Sequence, residues 1–140
     1  MTTYSANASI DAPPETVWAL LADGKSLPEW NSTIVSFEGD IALGSRIRLV
    51  STVNPKRAFK LTVSELAAPR RMVWSDGMPL GLFKGVRTYT LTPGDRGTEF
   101  TMVEVFSGFL EPLISRAIPD MTESFNEFAA SLKRAAEAGS

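Results

Sequence analysis

The chain has 140 residues, 14 basic and 16 acidic side chains with a net charge of −2, and neither cysteine nor histidine. Without these two residue types it lacks disulfides, a thiolate nucleophile, the usual general base and the commonest zinc ligand. It is therefore poorly equipped for most hydrolytic mechanisms, and the absence of a basic patch argues against nucleic acid as its main partner.

The length predicts one domain over residues 1–140. No apolar run approaches the roughly 18–20 residues that cross a bilayer. The first residues lack the charged and apolar regions of a secretory signal. We therefore expect a cytoplasmic protein without a membrane span. No stretch has the spacing of a phosphate-binding loop or a metal site, so we expect no cofactor and no metal.

The N-terminal quarter predicts one strand and two short helices. Residues 4–10 alternate between apolar and polar side chains, as a half-buried strand does. The two prolines that follow suit the entry of a helix with Asp11 or Ala12 near its cap. Residues 26–31 predict a second short helical turn.

From residue 33 the period changes from helical to two, which predicts a series of strands. The predicted strands cover residues 34–37, 46–53, about 59–64 and 71–75, and turns rich in proline, glycine and asparagine separate them. Residues 76–84 are predicted to form a loop. Its apolar side chains, Met78, Leu80, Leu82 and Phe83, have no evident place in a core.

Residues 86–92 and 98–106 predict a hairpin whose register can be derived. If Pro93 faces Thr98, apolar and polar side chains separate cleanly onto the two faces. That register places Tyr89 opposite Met102 and Arg87 opposite Glu104. An arginine and a glutamate would then lie side by side on an otherwise apolar face.

Residues 111–138 predict a long amphipathic helix that packs on everything before it. Proline at position 119 removes a hydrogen bond and predicts a kink or a split there. A bend is expected at residues 107–108, before the helix. The apolar stripe consists of Ile114, Ala117, Ile118, Met121, Phe125, Phe128 and Leu132.

The order of elements predicts an α+β fold, in which a curved seven-stranded antiparallel sheet wraps around a long C-terminal helix. Two short helices lie between the first and second strands. Strong twist curls such a sheet, and a curved sheet that grips a helix leaves a cavity where side chains do not meet. We expect a ligand there.

Four stretches resemble the START-like, or SRPBCC, superfamily. Residues 10–18 resemble its opening "I-x-A-P-x-x-x-V-W", and residues 27–31 (L-P-E-W-N) resemble the "x-x-W-N" of the polyketide cyclase/dehydrase-like branch. Residues 68–74 resemble its "P-x-x-L-x-W" strand, and residues 97–108 resemble "G-T-x-x-x-x-x-E-x-F-x-G". The resemblance implies the helix-grip fold of pollen allergens and lipid-transfer START domains. The superfamily includes lipid and steroid carriers, aromatic cyclases, hormone receptors and chaperone activators, so it implies no single activity.

Glu104 is the sharpest candidate for chemistry, with Arg87 beside it. The structural interpretation is an ion pair that satisfies two half-buried groups. The functional interpretation is a carboxylate, oriented by its arginine, that acts on a polar group of a ligand. Trp18 and Trp30 are expected to pack the short helices. The residues predicted to line the site are Trp74, Phe83, Arg87, Tyr89, Met102, Glu104, Phe106, Met121 and Phe125.

Three functions stay open. The first is binding, or transport, of a small hydrophobic, aromatic or amphipathic molecule, with residues 77–83 as a gate and Glu29 and Asp76 near the mouth. The second is an aromatic cyclase or dehydratase in which Glu104 and Arg87 are catalytic. The third is an interaction module of the chaperone-activator type. A homodimer is an open alternative to a monomer.

Overall fold

A computed structural model describes residues 1–139 and contains seven strands and four α-helices. The helices are α1 (Pro14–Leu21), α2 (Leu27–Trp30), α3 (Glu111–Ser115) and α4 (Thr122–Ala138). The strands are β1 (Thr2–Ile10), β2 (Ile34–Glu38), β3 (Arg46–Ser51), β4 (Ala58–Ala67), β5 (Arg71–Gly77), β6 (Lys84–Pro93) and β7 (Thr98–Ser107).

The strands form one antiparallel sheet in the order β1-β7-β6-β5-β4-β3-β2, which curls into a half-barrel around α4. β2 to β7 follow one another as a meander, and β1 joins the far side by pairing with β7. This is the predicted α+β helix-grip architecture. Among the described residues, no helix is long and apolar enough to span a membrane.

The hairpin of β6 and β7 has the predicted register. Pro93 pairs with Thr98, Tyr89 with Met102 and Arg87 with Glu104. The alternation of side chains along both strands enforces this pairing, because a shift by one residue would turn the apolar set outward.

The C-terminal region is split where Pro119 predicted a kink or a split. α3 ends at Ser115, and α4 begins only at Thr122. Proline cannot donate the ladder hydrogen bond that a continuous helix needs at this position. α4 buries Phe125, Phe128 and Leu132 against the sheet, whereas Ala117 of the predicted stripe is exposed.

The start of α1 lies where the sequence predicted it. Pro13 is at the cap position, directly after Ala12, and no described side chain makes a capping hydrogen bond. The backbone N–H of Asp11 donates to Glu137 of α4 at 2.9 Å. Farther along the chain, β3 ends at Ser51 rather than at residue 53.

The two ends of the half-barrel differ. At the end called here the closed end, the β6–β7 turn meets the start of α1, and Thr98 Oγ1 donates to the carbonyl of Ala12 at 2.7 Å. A Cβ added at Gly97 would lie 2.6 Å from the carbonyl oxygens of Ile10 and Ala12, so only glycine fits there. At the opposite, open end, the 78–83 loop lies beside the bend that follows β7.

Candidate functional site

Four side chains form a row across the concave face of the sheet. Trp74 pairs with Arg87, Arg87 pairs with Glu104, and Glu104 pairs with Tyr4. Residues that face one another directly on antiparallel strands project to the same side of the sheet. We call Trp74, Arg87, Glu104 and Tyr4 the polar row.

The centre of the polar row is an ion pair between Arg87 and Glu104. Arg87 Nε and Nη2 donate to Glu104 Oε1 at 3.0 and 2.7 Å. Arg87 Nη1 donates to Tyr89 Oη at 3.4 Å. The two charged side chains are only 14% and 9% exposed. Since both bonds end on Oε1, and no described residue donates to Oε2, that oxygen keeps its full capacity to accept a hydrogen bond.

Helix α4 covers this ion pair with an aromatic ring. The guanidinium carbon of Arg87 lies 4.9 Å from the ring centroid of Phe125, a cation–π distance. The ring of Tyr4 contacts the same Phe125 ring, with centroids 6.0 Å apart. Phe125 and Tyr4 thus shield the pair and strengthen its electrostatics by excluding water.

The surroundings shift the pKa values of two groups in the cluster. Burial raises the pKa of Tyr89 to about 12, although Arg87 opposes the shift, so its phenol is neutral at physiological pH. Burial acts to lower the pKa of Arg87, but the negative charge of Glu104 and the contact with Tyr89 outweigh it and hold that pKa above its usual value. The pair therefore presents one fixed positive charge and one carboxylate.

Trp74 carries a buried donor without an acceptor. Its side chain is fully enclosed at 1% exposure, and Nε1 has no hydrogen-bond partner among the described residues. Its ring meets Tyr89 edge to face, with centroids 4.9 Å apart, and it also contacts Phe37. Buried donors are normally satisfied, because leaving one unpaired costs about 1–3 kcal/mol. Trp74 thus places an unused donor beside the ion pair in the polar row.

A glycine and two aromatic rings adjoin Glu104 toward the open end. A Cβ at Gly85 would lie 3.2 Å from the ring of Phe106 and 3.6 Å from Glu104 Oε2. The glycine therefore lets the Phe106 ring lie close to the strand, next to the carboxylate. Phe83, from the predicted gate loop, stacks on Phe106 with centroids 5.6 Å apart. Phe83 is thus the first ring on the path from the open end to Glu104.

Two open concavities lie outside the space between the sheet and α4. One, of about 490 Å³, is lined by Arg46, Ser75, Asp76, Met78 and Phe83 among others. The other, of about 660 Å³, lies between α1, α2 and the end of α4 and includes Glu29 and Trp30. The predicted internal cavity is neither of these. Asp76 and Glu29, predicted at one mouth, line two separate surface concavities.

The interior toward the closed end is packed with aromatic rings. Tyr89, Phe100 and Phe128 stack on one another with centroids 5.5 to 6.3 Å apart. Met102 is fully buried in the same core, and Met121 packs against it from the start of α4. Of the residues predicted to line a site, Tyr89 and Met102 therefore form core, whereas Phe83, Phe106 and Phe125 surround the Arg87–Glu104 pair.

The predicted packing roles of two tryptophans fit the structure. Trp18 is half-buried against the core. Trp30 meets Phe128 edge to face, with centroids 6.3 Å apart. Four basic side chains of the strands are exposed: Arg46, Arg48, Lys60 and Arg71.

Two residues of the site are not predicted from the sequence. The pattern of β1 assigns Tyr4 only to an apolar side, because its partner strand is distant in the chain. Gly85 lies in a strand whose pattern gives no sign of its closeness to Glu104. Outside the polar row, Asn31 is buried: its Oδ1 accepts two hydrogen bonds from Thr33, while its Nδ2 has no partner among the described residues.

Among the described residues, no group of side chains at the polar row is arranged to bind a metal ion. Across residues 1–139, no three or more carboxylates are clustered so that they could hold a metal ion. Apart from Glu104, the concave face near α4 offers donors and aromatic rings. This arrangement suits an organic molecule with an apolar body and at least one polar group.

The chain is similar to known proteins in sequence and in fold. The model of the family "Polyketide cyclase / dehydrase and lipid transport" matches residues 1–137. A search of curated proteins found no match. Similar solved structures include a Mesorhizobium loti protein with 22% identity and a TM-score of 0.75 over 99% of both chains.

Two further structures show the same fold. A Mycobacterium smegmatis protein described as a member of the START superfamily has 18% identity and a TM-score of 0.73 over 99% of both chains. A Staphylococcus aureus protein of unknown function has 14% identity and a TM-score of 0.71 over 99% of this chain and 94% of its own. The family match and these folds agree with one another: the chain has a START-like fold and belongs to the polyketide cyclase/dehydrase and lipid transport family.

Proposed function

We propose that the chain binds a small hydrophobic or amphipathic molecule between the curved sheet and α4, with its polar group at the Arg87–Glu104 pair. The observation that carries the proposal is the state of the polar row. A buried ion pair with an unused Oε2 lies beside the buried, unpaired N–H of Trp74. Buried groups of this kind need partners, and a ligand with a donor and an acceptor would supply both.

The charges of the proposed site favour a ligand with little net charge of its own. Arg87 and Glu104 already neutralise one another, so the site as a whole is close to neutral. An isolated charge brought into these surroundings would lose its hydration without gaining a counterion. Hydroxyl, carbonyl or phenol groups fit the available donor and acceptor at a smaller cost.

Entry would occur at the open end, through the ring of Phe83. This ring stacks on Phe106 beside Glu104, and it belongs to the short loop between β5 and β6. Displacing Phe83 would expose Phe106 and the carboxylate without disturbing the ring stack at the closed end. Residues 78–83 therefore serve as the proposed gate.

The proposal can be tested with N-phenyl-1-naphthylamine, an uncharged fluorescent probe with two aromatic ring systems, titrated at neutral pH. Wild-type protein should bind it saturably, and a neutral amphipathic competitor such as a long-chain alcohol should displace it. The double variant Arg87→Met/Glu104→Leu should lose saturable, competable binding. A matched control removes the exposed ion pair Arg71–Glu65, whose side chains are 48% and 47% exposed, by Arg71→Met/Glu65→Leu.

Equal binding by wild type and the Arg87→Met/Glu104→Leu variant would contradict the proposed site. So would a loss of binding that is the same in the Arg71→Met/Glu65→Leu control. Both double variants should first be shown to keep the cooperative unfolding of the wild type.

A second function, cyclisation or dehydration of a polyketide chain, is favoured by one observation. Glu104 has a free oxygen next to a fixed cation, the arrangement that a carboxylate needs to move a proton while its arginine steadies a developing enolate. The variant Glu104→Gln separates the two functions. If turnover of a poly-β-ketone is lost while binding is kept, Glu104 is catalytic; if no turnover exists in the wild type, the chain is a binding protein.

A further inference from the structure

The two edge strands of the sheet differ in length, regularity and charge. β2, at one edge, has five residues, a register shift against β3 between Ile34 and Ser36, and a glutamate at its end. Short length, irregular pairing and charge are features by which exposed edges avoid pairing with other strands. β1, at the other edge, has nine residues, pairs with β7 in one unbroken register and contains neither a charged side chain nor proline. The β1 edge therefore lacks the features that protect the β2 edge.

The direction of the backbone groups along β1 follows from the hydrogen bonds of the β6–β7 hairpin. Gly94 N donates to Gly97 O at 2.9 Å, so the carbonyl of Gly97 lies on the side of β7 that faces β6. Because this direction alternates along a strand, the odd-numbered residues of β7 bond to β6 and the even-numbered residues bond to β1. These even-numbered residues pair with the even-numbered residues of β1. The odd-numbered residues of β1 consequently direct their N–H and C=O groups away from the sheet.

Helix α4 occupies one end of this edge. Lys133 Nζ donates to the carbonyl of Ser9 at 2.6 Å, and the N–H of Asp11 donates to Glu137 at 2.9 Å. Both contacts agree with the outward direction of the odd-numbered residues. Toward the open end, no described residue bonds to the outward N–H and C=O groups of β1. We call this part of the edge, which consists of Thr3, Ser5 and Asn7, the free edge.

We propose that the free edge pairs with the free edge of a second copy of the chain, antiparallel, about a two-fold axis at Ser5. In this register every residue of the free edge meets a residue of the other free edge, because Ser5 faces Ser5 and Thr3 faces Asn7. Residues that face one another in this way exchange an N–H···O bond in both directions. The side chains of all three residues are exposed and uncharged, so they meet without repulsion.

A second copy is the partner that the sequence of β1 favours. Charges on the edge strands of natural sheets prevent pairing between identical chains, and β1 has none. A two-fold axis also presents the same surface from both copies, as most homodimers do. On the concave face, the proposed register places the half-buried Tyr4 opposite Ala6 of the second copy. The proposal concerns the outer edge of the sheet and does not depend on a ligand in the interior.

Sedimentation velocity of the full chain over a range of concentrations tests the proposal. The interface of one strand pair is small, so the wild type should dimerise with a dissociation constant of about 1–100 μM. Ser5→Lys should raise this constant by about tenfold or more, because two lysines would face one another across the axis. The matched control is Val35→Lys, which places the same charge at an exposed position of β2 and should dimerise like the wild type.

A charge exchange at Ser5 tests the position of the axis. Ser5→Glu alone should dimerise as weakly as Ser5→Lys, because like charges again face one another. An equimolar mixture of the two variants should form a heterodimer at least as tight as the wild-type dimer. Since all these substitutions are at exposed positions, circular dichroism should show unchanged folding.

Three results would overturn the proposal. One is a wild type that stays monomeric at every concentration, which would leave the free edge to a strand from a different protein. Another is equal dimerisation of Ser5→Lys and Val35→Lys. The third is a mixture of Ser5→Lys and Ser5→Glu that dimerises no better than either variant alone.

Discussion

The closed and open ends of the half-barrel use the same sheet for different purposes. At the closed end, Tyr89, Phe100 and Phe128 stack in a buried core, and glycine at position 97 lets the connection between β1 and α1 approach the hairpin turn. At the open end, the same strands carry a buried ion pair with unused hydrogen-bonding capacity and lead into loops with exposed apolar side chains.

The difference indicates that folding stability and ligand binding depend on different parts of the half-barrel. A stack of rings with complete burial contributes to the free energy of folding and offers nothing to a ligand. A buried ion pair contributes little net stability, because the desolvation of two charges offsets their attraction. We therefore expect substitutions at the closed end to change folding and substitutions in the polar row to change binding.

The largest expected effect is on stability at the closed end. Phe128→Ala should lower the free energy of unfolding by about 3–5 kcal/mol, because the ring is 2% exposed and its loss leaves a cavity in the stack. Denaturant titration measures it. Phe59→Ala, at an exposed ring, is the control and should cost less than about 1 kcal/mol. Equal losses of unfolding free energy in Phe128→Ala and Phe59→Ala would contradict the proposed role of the closed end in stability.

Removing one partner of the ion pair should have the next largest effect. Glu104→Gln leaves Arg87 charged and half-buried, so the free energy of unfolding should fall by about 2–4 kcal/mol. Replacing both partners, in Arg87→Met/Glu104→Leu, should restore stability to within about 1 kcal/mol of the wild type. Denaturant titration of the three proteins measures both effects. If the double variant is as unstable as Glu104→Gln, the pair is structural and the polar row loses its proposed role.

Alkaline pH should reveal the burial of Tyr89. Its pKa is about 12 in the folded chain and about 10 in an unfolded one. Above pH 10 the unfolded chain therefore loses a proton that the folded chain keeps, and stability falls as pH rises toward 12. The loss should be on the order of 2 kcal/mol in the wild type and absent in Tyr89→Phe. The measurement is the unfolding midpoint of the two proteins from about pH 9 to about pH 12. If Tyr89 were not buried, the midpoints of both proteins would change with pH in the same way.

The smallest expected effect is at Leu80, in the loop between β5 and β6. Leu80→Gly should raise the free energy of unfolding by about 0.5–1 kcal/mol, because glycine adopts a φ of +62° without steric cost. Leu80→Ala keeps the steric cost of the left-handed conformation and is the matched control. Thermal unfolding of the wild type, Leu80→Gly and Leu80→Ala measures the difference in stability. A destabilised Leu80→Gly variant would mean that the leucine side chain contributes packing that its exposure does not suggest.

The parts of the fold that depend on local pattern could be predicted from the sequence. Alternation along β6 and β7 determines their register, and this alternation alone is enough to place Arg87 opposite Glu104. Pro119 likewise predicted the interruption between α3 and α4. In each case the deciding residues are close in the chain or impose their own backbone chemistry.

The parts that depend on distant contacts could not be predicted. Tyr4 faces Glu104 only because β1 pairs with β7, about a hundred residues away. The stacking of Phe83 on Phe106 and the left-handed backbone at Leu80 depend on how two loops meet. An exposed apolar loop could be recognised from composition, but not the surface that it forms with the segment after β7.

Native mass spectrometry of the purified protein tests the central claim most directly, with denaturation to release any bound molecule. We predict that an apolar or amphipathic molecule is released from the wild type and from Arg71→Met/Glu65→Leu, but not from Arg87→Met/Glu104→Leu. The same molecule in equal amounts from all three proteins would contradict the claim. So would a wild type that carries nothing and takes up none of a panel of lipids, sterols and aromatic polyketides.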